Sequence, residues 1–362
     1  MADYFNKMDW AFMLSQYPSK TEFDIPSYYK VLSPEWPSFL DKYIAVPSMQ
    51  RLKGIGLLCG TDWTKLYHNR FAYSRFDHSL GVALIVWNFT RDKIQTLAGL
   101  FHDISTPVFS HVADFRKGDA LTQTITENET ELFIKQDKEL CRLLAKDGIK
   151  TEQVSDYHIY PVADNERPKL SADRLEYMFP SGASLQGSWS LEEINSVYSD
   201  IKVLQDENGG PELGFCSVEK AEFYFEKFLE TGHVLQLNEN KLALQLLAEI
   251  TSRAIELGVL TEEDCYLKTE AQVMECFDKV KDEKFLCLYK TFRNMTEVLH
   301  TEKALKDCFC VSLKVKQRFI DPLVKSGGKT ERISKISGKA EAMLKDFLLY
   351  EDTLYGCVKL QF

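Results

Sequence analysis

The sequence predicts an all-α protein in which a helical bundle is followed by a C-terminal helical lobe with a minor β element. Apolar residues recur at intervals of three and four along most of the chain, which is the spacing of one face of a helix. Residues that cap helices stand at the starts of several of these segments. Alternation of apolar and polar residues, the pattern of a half-buried strand, is rare.

The helices are predicted from caps and apolar spacing in chain order. The first covers 49–58, where apolar residues stand three apart. Asp77 is expected to cap a second helix, and Asp92 a third that Pro107 ends. Further helices are predicted over 139–146, after a capping box formed by Ser190 and Glu193, around 223–229 and over 242–257.

The length of 362 residues allows two domains of about 150 residues each, with some excess. We place a boundary near residue 235, so that residues 1–235 form the first domain, with its core at 48–180. Residues 236–362 then form the C-terminal lobe. Within that lobe 311–319 alternates apolar and polar residues, which predicts one short strand or hairpin.

The charge of the chain restricts its partners. The 54 acidic and 44 basic residues give a net charge of −10, so the whole surface is a poor non-specific binder of nucleic acid. Residues 311–345 depart from this, with nine Lys or Arg against three Asp or Glu. A solvated face is one interpretation of this segment, and contact with an anion, a nucleotide or nucleic acid is the other.

No apolar run approaches the roughly 18–20 residues that span a bilayer, so we expect no membrane function. The first residues lack the basic-then-apolar pattern of a signal peptide. The nine cysteines are scattered and contain no Cys-x-x-Cys pair. We therefore expect free thiols in a reducing cytoplasm.

Histidines and aspartates in the first half of the chain suggest a metal site. His102 and Asp103 are adjacent on a predicted helix, and His78 stands at the start of the preceding helix. A short connection makes such helices antiparallel neighbours, which brings the start of one beside the end of the next. Asp173 is the candidate for a fourth ligand. Two imidazoles and two carboxylates suit one divalent metal ion, such as Mn²⁺, Fe²⁺, Co²⁺, Ni²⁺ or Zn²⁺.

These residues also carry a family resemblance. The relevant stretches are 75–81 (RFDHSLG), 98–104 (AGLFHDI), 109–114 (FSHVAD) and Asp173. Together they resemble the HD-domain superfamily of metal-dependent phosphohydrolases, whose signature is H…HD…D. Over roughly 48–180 the chain looks most like the branch that contains deoxynucleoside triphosphate triphosphohydrolases. The resemblance implies an HD-domain helical bundle and an enzyme that hydrolyses phosphate esters with His78, His102, Asp103 and Asp173 as metal ligands.

The resemblance implies further roles in the site. Arg75 matches an arginine that contacts substrate phosphate, and His111 and Asp114 match residues that line the catalytic cleft, where Asp114 would orient His111. Arg174 and Tyr177 stand where the branch contacts substrate phosphate and sugar. The implied partner is a small phosphate compound or nucleotide. C-terminal lobes in this branch often serve assembly and effector binding, so a homo-oligomer is a further expectation.

The chain departs from the branch at two positions. Thr106 stands where a catalytic histidine is expected, and Glu127 stands where its partner histidine is expected. Loss of an acid that protonates the leaving group costs about 10²–10⁴-fold in rate, unless Glu127 or Glu129 replaces it. A nucleotide-binding regulatory protein with little or no turnover is therefore the alternative function. Another HD subgroup holds two metals, for which His111 and His158 are candidates, but we favour one metal.

Overall fold

The computed structural model describes residues 23–123 and 129–362. Helices account for 53% of the structure, and seven strands in two sheets account for 10%. The protein is therefore mixed α/β, although mostly helical, and the all-α prediction is wrong. Each strand is only three to five residues long. Alternation over so few residues does not stand out from a helical sequence, and the strands depend on pairing partners that are often distant in the chain.

Ten α-helices of the described residues precede the first strand. They are α1 (Ile25–Leu32), α2 (Leu40–Ile44), α3 (Pro47–Arg51), α4 (Arg75–Thr90), α5 (Lys93–Phe101), α6 (Val112–Arg116), α7 (Thr130–Gln136), α8 (Lys138–Lys146), α9 (Ala172–Leu185) and α10 (Leu191–Tyr198). Short 3₁₀ helices lie at Leu52–Gly54, Thr61–Trp63, Thr151–Gln153 and Tyr157–Ile159. This region contains all of the predicted metal ligands.

The rest of the chain combines strands with seven more helices. In chain order these elements are β1 (Ile201–Gln205), β2 (Pro211–Phe215), α11 (Val218–Val234), α12 (Asn238–Glu256), α13 (Glu262–Leu267), α14 (Glu270–Phe277), α15 (Glu283–Asn294), β3 (Leu299–Thr301), β4 (Cys308–Val311), β5 (Leu323–Ser326), β6 (Lys329–Arg332), α16 (Ile333–Ile336), α17 (Gly338–Leu349) and β7 (Tyr355–Lys359).

The helix starts follow the predicted caps with one correction. The side chain of Asp92 accepts hydrogen bonds from the first turn of α5, as predicted. The cap of α4 is Ser74, not Asp77, and Asp77 completes a capping box by accepting the Ser74 amide. The predicted helix over 49–58 is shorter than expected, because α3 ends at Arg51 and continues only as a 3₁₀ turn.

One sheet joins the two predicted regions of the chain. Its order is β1-β2-β5-β6, with β2 and β5 parallel and the other neighbours antiparallel. Strands from both sides of residue 235 thus pair with each other, while the domain boundary itself stays a prediction. The second sheet, β3-β7-β4, is antiparallel. The strand predicted over 311–319 is wrong for most of its length, since β4 ends at Val311 and residues 312–322 have no regular structure.

A disulfide links the second sheet. Cys310 on β4 and Cys357 on β7 stand opposite each other in the register, with their Cα atoms 4.1 Å apart. The expectation of free thiols is therefore wrong for this pair, and the other seven cysteines are free. The sequence carries no sign of this disulfide because the two cysteines stand 47 positions apart in the chain.

The core extends through most of the described chain. One cluster of buried apolar side chains runs from Tyr28 to Val358. Helix α4 lies within it, packs most extensively against α5, and is buried on most of its sides. In the described ranges no helix has the length and apolarity that a membrane span requires.

Candidate metal centre

The four predicted ligands come from three places in the fold that packing brings together. His78 lies in the first turn of α4, and His102 is the residue at which α5 ends. The two helices are joined by only Arg91 and Asp92, so the end of α5 returns beside the start of α4. Asp173 lies in the first turn of α9, which Ser171 caps by accepting a hydrogen bond from the amide of the third helical residue.

The position of His102 explains how two adjacent residues face one point. The sequence placed His102 and Asp103 on a helix, where neighbouring side chains diverge by about 100°. In the structure α5 ends at Phe101, so Asp103 already lies in the turn beyond the helix. The Nε2 atom of His102 lies 3.5 Å from Oδ2 of Asp103. The helix end therefore permits a convergence that a continuous helix would oppose.

The ligand atoms have the spacing of a coordination shell. Nε2 of His78 lies 3.2 Å from Nε2 of His102 and 3.1 Å from Oδ1 of Asp173. Nε2 of His102 lies 3.7 Å from the same Asp173 oxygen, and Nε2 of His78 lies 3.8 Å from Oδ2 of Asp103. Ligands about 2.1 Å from a metal ion are separated by about 3.0–3.4 Å in octahedral and tetrahedral arrangements. His78, His102 and Asp103 thus form a cluster that could hold a divalent ion, and Asp173 lies beside it, 3.1 Å from His78.

Hydrogen bonds orient both imidazoles for such an ion. Nδ1 of His102 lies 2.7 Å from the carbonyl oxygen of Gly99, which can only accept, so Nδ1 carries the proton. Nδ1 of His78 lies 2.5 Å from the Glu176 carboxylate, which favours a proton on Nδ1 there as well. Both Nε2 atoms are then left with the lone pair that a metal ligand needs.

Glu176 is a functional residue that the sequence analysis missed. It is fully buried, one helical turn after Asp173 on α9, and it also accepts a hydrogen bond of 2.6 Å from the Tyr73 hydroxyl. A Cβ atom at Gly81 would lie 2.4 Å from Oε1 of Glu176, so glycine at this point of α4 makes room for the carboxylate. The available signal was the spacing of three between Asp173 and Glu176, which puts both carboxylates on one helix face.

The electrostatics of the cluster favour a bound cation. Burial lowers the pKa of His78, but the bonds to Asp173 and Glu176 outweigh burial and raise that pKa to about 10. Burial alone would raise the pKa of Asp173, yet His78 and His102 hold it well below its usual range. The Asp173 carboxylate is thus ionised and attracts positive charge. A divalent ion at the Nε2 atoms would replace the proton that His78 otherwise holds.

Asp103 is held by two further side chains. Arg75 Nη1 donates to its Oδ2 at 2.8 Å, and the Thr106 hydroxyl donates to its Oδ1 at 2.9 Å. Arg75 also donates through Nε to the Ser110 hydroxyl at 3.1 Å. Burial opposes ionisation of Asp103, but Arg75 and the two histidines hold its pKa well below the usual range. Thr106 thus contacts a predicted ligand directly.

A cavity of about 870 Å³ opens over the four ligands. His111 lines it, and Nδ1 of His111 lies 2.9 Å from Oδ2 of the fully buried Asp114. Burial lowers the pKa of His111 to about 4, with Arg318 and Arg75 adding to this effect and Asp114 opposing it. The structure therefore places His111 and Asp114 beside the ligands as one hydrogen-bonded pair.

Tyr177 and Arg174, the remaining residues predicted to contact substrate, both line the cavity but have different surroundings. Tyr177 lines the cavity, with its ring centroid 6.4 Å from that of His78. Arg174 also lines the cavity, but its donors are directed to Asp164 at 3.2 Å, to the Lys169 carbonyl at 2.9 Å and to Asn165. Its role as a phosphate contact stays a prediction, and most of its hydrogen-bonding capacity is already used.

Of the two expected substitutes for the leaving-group acid, only Glu129 is among the residues that the structure describes. Glu127 lies outside the described residues. Glu129 precedes α7 and is absent from the described lining of the cavity. His158, considered for a second metal, lines the cavity half-exposed and pairs with Asp156 and Asp164. Within 23–123 and 129–362 its atoms join no metal-like cluster.

Fold and site together define a mostly helical α/β protein with a buried His₂Asp₂ centre at the base of a large cavity. No family model matches the chain. It is 26% identical over 317 residues to the uncharacterized protein YdhJ of Bacillus subtilis, an alignment that covers 83% of this chain and 90% of that protein. It is 28% identical over 154 residues to the metal-dependent phosphohydrolase cns2 of Cordyceps militaris, covering 42% of this chain and 43% of cns2.

Two solved structures share the fold over nearly the whole chain. A phosphohydrolase from Bacteroides thetaiotaomicron superposes with a TM-score of 0.57 at 16% identity, over 92% of this chain and 95% of that one. A hypothetical protein from Aquifex aeolicus superposes with a TM-score of 0.55, also at 16% identity, over 90% of this chain and 93% of that one. At this identity the likeness concerns the fold alone.

Proposed function

We propose that this protein is a metal-dependent phosphohydrolase of the HD type that acts on a nucleotide or a related phosphate ester. The observation that carries the proposal is the convergence of two oriented Nε2 atoms and two ionised carboxylates at the base of a cavity. The relationship to a metal-dependent phosphohydrolase and the fold shared with another phosphohydrolase support it. Membership of the triphosphohydrolase branch is a finer proposal that depends only on the sequence motifs.

In this mechanism His78, His102, Asp103 and Asp173 hold one divalent ion. When bound, such an ion lowers the pKa of a water ligand and neutralises charge on the phosphoryl group. Arg75 holds Asp103 in place and brings a guanidinium next to the centre, where a phosphate oxygen would lie. His111 is oriented by Asp114 and, being neutral at pH 7, is available to accept or relay a proton at the cavity wall.

The missing histidine has a consequence for substrate choice. The Thr106 hydroxyl donates to Asp103, and a hydroxyl is too weak an acid to protonate a leaving group. We therefore expect esters whose leaving group needs no proton, such as an aryl phosphate, to be hydrolysed faster than ordinary nucleotides. The same observation favours a second candidate function, a nucleotide-binding regulatory protein that keeps the metal but has lost turnover.

The test combines metal replacement with one ligand variant. Protein stripped by a chelator is reloaded with Mn²⁺, Fe²⁺, Co²⁺, Ni²⁺ or Zn²⁺ and assayed on 4-nitrophenyl phosphate and on nucleotides with one to three phosphates. Hydrolysis should require the ion, and Asp103→Ala should abolish both metal retention and hydrolysis. Glu230→Gln, a buried carboxylate outside the described cavity lining, is the control.

The outcomes separate the two functions. Hydrolysis that survives both chelation and Asp103→Ala would contradict the metal mechanism. Stoichiometric metal and nucleotide binding without turnover on any substrate would favour the regulatory protein. Full metal content in Asp103→Ala would show that the ion is held elsewhere.

A further inference from the structure

The cavity has a second cationic region that the metal centre does not account for. Arg318 belongs to residues 312–322, which we call the connecting segment because it joins β4 to β5. This segment forms part of the cavity lining, with Arg318 near Tyr177 and Arg167 beside it. Its residues come from the basic stretch of the sequence for which two interpretations remained open.

The connecting segment is fixed to the region that carries the ligands. The Lys316 amide donates to the Ala120 carbonyl at 3.2 Å, and the Asp321 amide donates to the Pro168 carbonyl at 2.7 Å. A Cβ atom at Gly232 of α11 would lie 2.4 Å from the Arg318 carbonyl oxygen, so glycine there allows the backbones to meet. Arg318 therefore projects from a backbone that is held on both sides.

Among the described residues Arg318 has only neutral partners. Its Nη2 donates to Oε1 of Gln123 at 2.7 Å, and its Cζ lies 5.7 Å from the centre of the Tyr177 ring. In the described part of the chain no carboxylate lies within 4.0 Å of Arg318 or of Arg167. Arg167 donates to the Gln317 carbonyl and lies over Phe319. A half-buried guanidinium without an acid is unfavourable unless an anion joins it.

The positive charges of Arg167, Arg174 and Arg318 also repel one another. Burial lowers the pKa of Arg167, and the nearby charges of Arg318 and Arg174 lower it further. In the described cavity lining five Lys or Arg face four Asp or Glu, and three of the acids are already bound to cations or are predicted metal ligands. With a divalent ion at the centre the cavity is strongly positive. An anion is the ligand that relieves this repulsion.

We propose that Arg318 and Arg167 form an anion subsite that binds a second phosphate group of the substrate. This inference depends on the proposed phosphohydrolase function and extends it to the substrate class. Tyr177 links the two sites, since its ring centroid is 6.4 Å from that of His78 and 5.7 Å from Arg318 Cζ. Both groups thus lie near one side chain of the same cavity, and we expect a small molecule with two phosphates, either joined as an anhydride or esterified at different positions.

The first experiment measures binding without catalysis. Metal-free protein is titrated calorimetrically with pyrophosphate, an anion that needs no hydrolysis to report on the subsite. Arg318→Gln should weaken binding about 10–100-fold, the effect of losing a charge-assisted hydrogen bond. Lys314→Gln removes a charge from the same segment outside the described cavity lining and should bind as wild type does. Equal binding by Arg318→Gln and wild type, or none by wild type, would overturn the inference.

The second experiment uses the metal-loaded enzyme. Adenosine monophosphate, adenosine diphosphate and adenosine 3′,5′-bisphosphate are compared, so that the anhydride and the two-position ester are tested separately. Substrates with two phosphates should have the lower KM, and Arg318→Gln should remove most of that advantage while affecting the monophosphate little. Wild-type turnover of all three with equal KM would overturn the subsite but leave the proposed function standing. Absence of turnover on all three would count against the proposed function, and the pyrophosphate titration would still decide the subsite.

If Arg318→Gln fails to fold, as judged by thermal unfolding, Arg167→Gln takes its place. Arg167 is exposed, so its substitution removes a cation of the subsite with little effect on packing. A smaller loss of pyrophosphate affinity is then expected. Unchanged affinity in this variant would remove Arg167 from the subsite.

Discussion

Glu176 shows how a buried carboxylate that is not itself a metal ligand can orient a histidine that is a candidate ligand. It has no direct place among the four candidate metal ligands, but it holds Nδ1 of His78 and thereby points Nε2 toward the centre. It is fully buried, which raises its pKa, and the hydrogen bonds from His78 and two tyrosines oppose this shift. A carboxylate behind a ligating histidine typically contributes 10–100-fold to metal affinity.

We therefore expect Glu176→Gln to keep the fold and lose metal affinity by about 10–100-fold, because the amide is nearly isosteric but no longer carries charge. Gly81→Ala should act in the same direction, since its Cβ would displace the carboxylate. The measurement is a competition titration of Mn²⁺ or Ni²⁺ against a chelator. Glu230→Gln is the control for a buried carboxylate outside the site. Wild-type affinity in both site variants would show that His78 is oriented by other contacts.

Among the elements, α12 and the β3-β7-β4 sheet are joined by an ion network. Nδ1 of His300 on β3 lies 2.9 Å from Asp352, and its Nε2 lies 2.9 Å from Glu239 on α12. The bonds to Asp352 and Glu239 raise the pKa of His300 to about 10. Protonated His300 thus ties β3 and the irregular segment before β7 to the start of α12.

This network predicts a pH dependence of stability. Because the pKa of His300 is higher in the folded state than its ordinary value of about 6.5, its contribution is complete below pH 6.5 and is lost as pH rises through about 10. His300→Gln should therefore flatten the fall in unfolding free energy between pH 7 and pH 10. The side chain is about one-third exposed, so screening limits the effect to about 1 kcal/mol.

Urea unfolding at several pH values measures this difference. His68→Gln, a histidine with no role in the network, serves as the control. A wild-type slope in His300→Gln over the whole interval would show that the network does not contribute to stability.

At the scale of the whole molecule, the β1-β2-β5-β6 sheet joins strands from the two predicted regions of the chain. Arg332 at the end of β6 donates to Glu212 of β2 at 2.6 and 2.9 Å, and Glu212 is fully buried. Breaking a buried pair costs about 3–5 kcal/mol because the remaining charge is left without a partner. The pair connects strands on opposite sides of residue 235.

Arg332→Met should therefore lower the unfolding free energy of the entire chain by about 3 kcal/mol, in one cooperative transition. Arg253→Met removes a more exposed ion pair with Asp282 and should cost much less, because solvent screens such a pair. Urea unfolding followed by both far-ultraviolet circular dichroism and tryptophan fluorescence checks this. Two separate transitions, with only one moved by the substitution, would indicate that the C-terminal lobe unfolds independently.

The sequence was sufficient to predict the features that depend on neighbouring residues. Caps such as Asp92 and the capping box at Ser190 are local hydrogen bonds, and the structure confirms them. The four candidate metal ligands belong to short sequence motifs with defined spacing, and the structure brings them together. Their convergence was predictable because a two-residue connection leaves α4 and α5 few ways to pack.

Tertiary structure decided the features that depend on distant partners. The two sheets, the Cys310–Cys357 disulfide and the contact of Glu176 with His78 all join residues far apart in the chain. The same is true of Arg318, which enters the cavity only because the connecting segment packs on Gly232. The physical reason is that strand pairing and burial are properties of the packed molecule. A short strand or a single charged side chain carries no local pattern that distinguishes it from a surface residue.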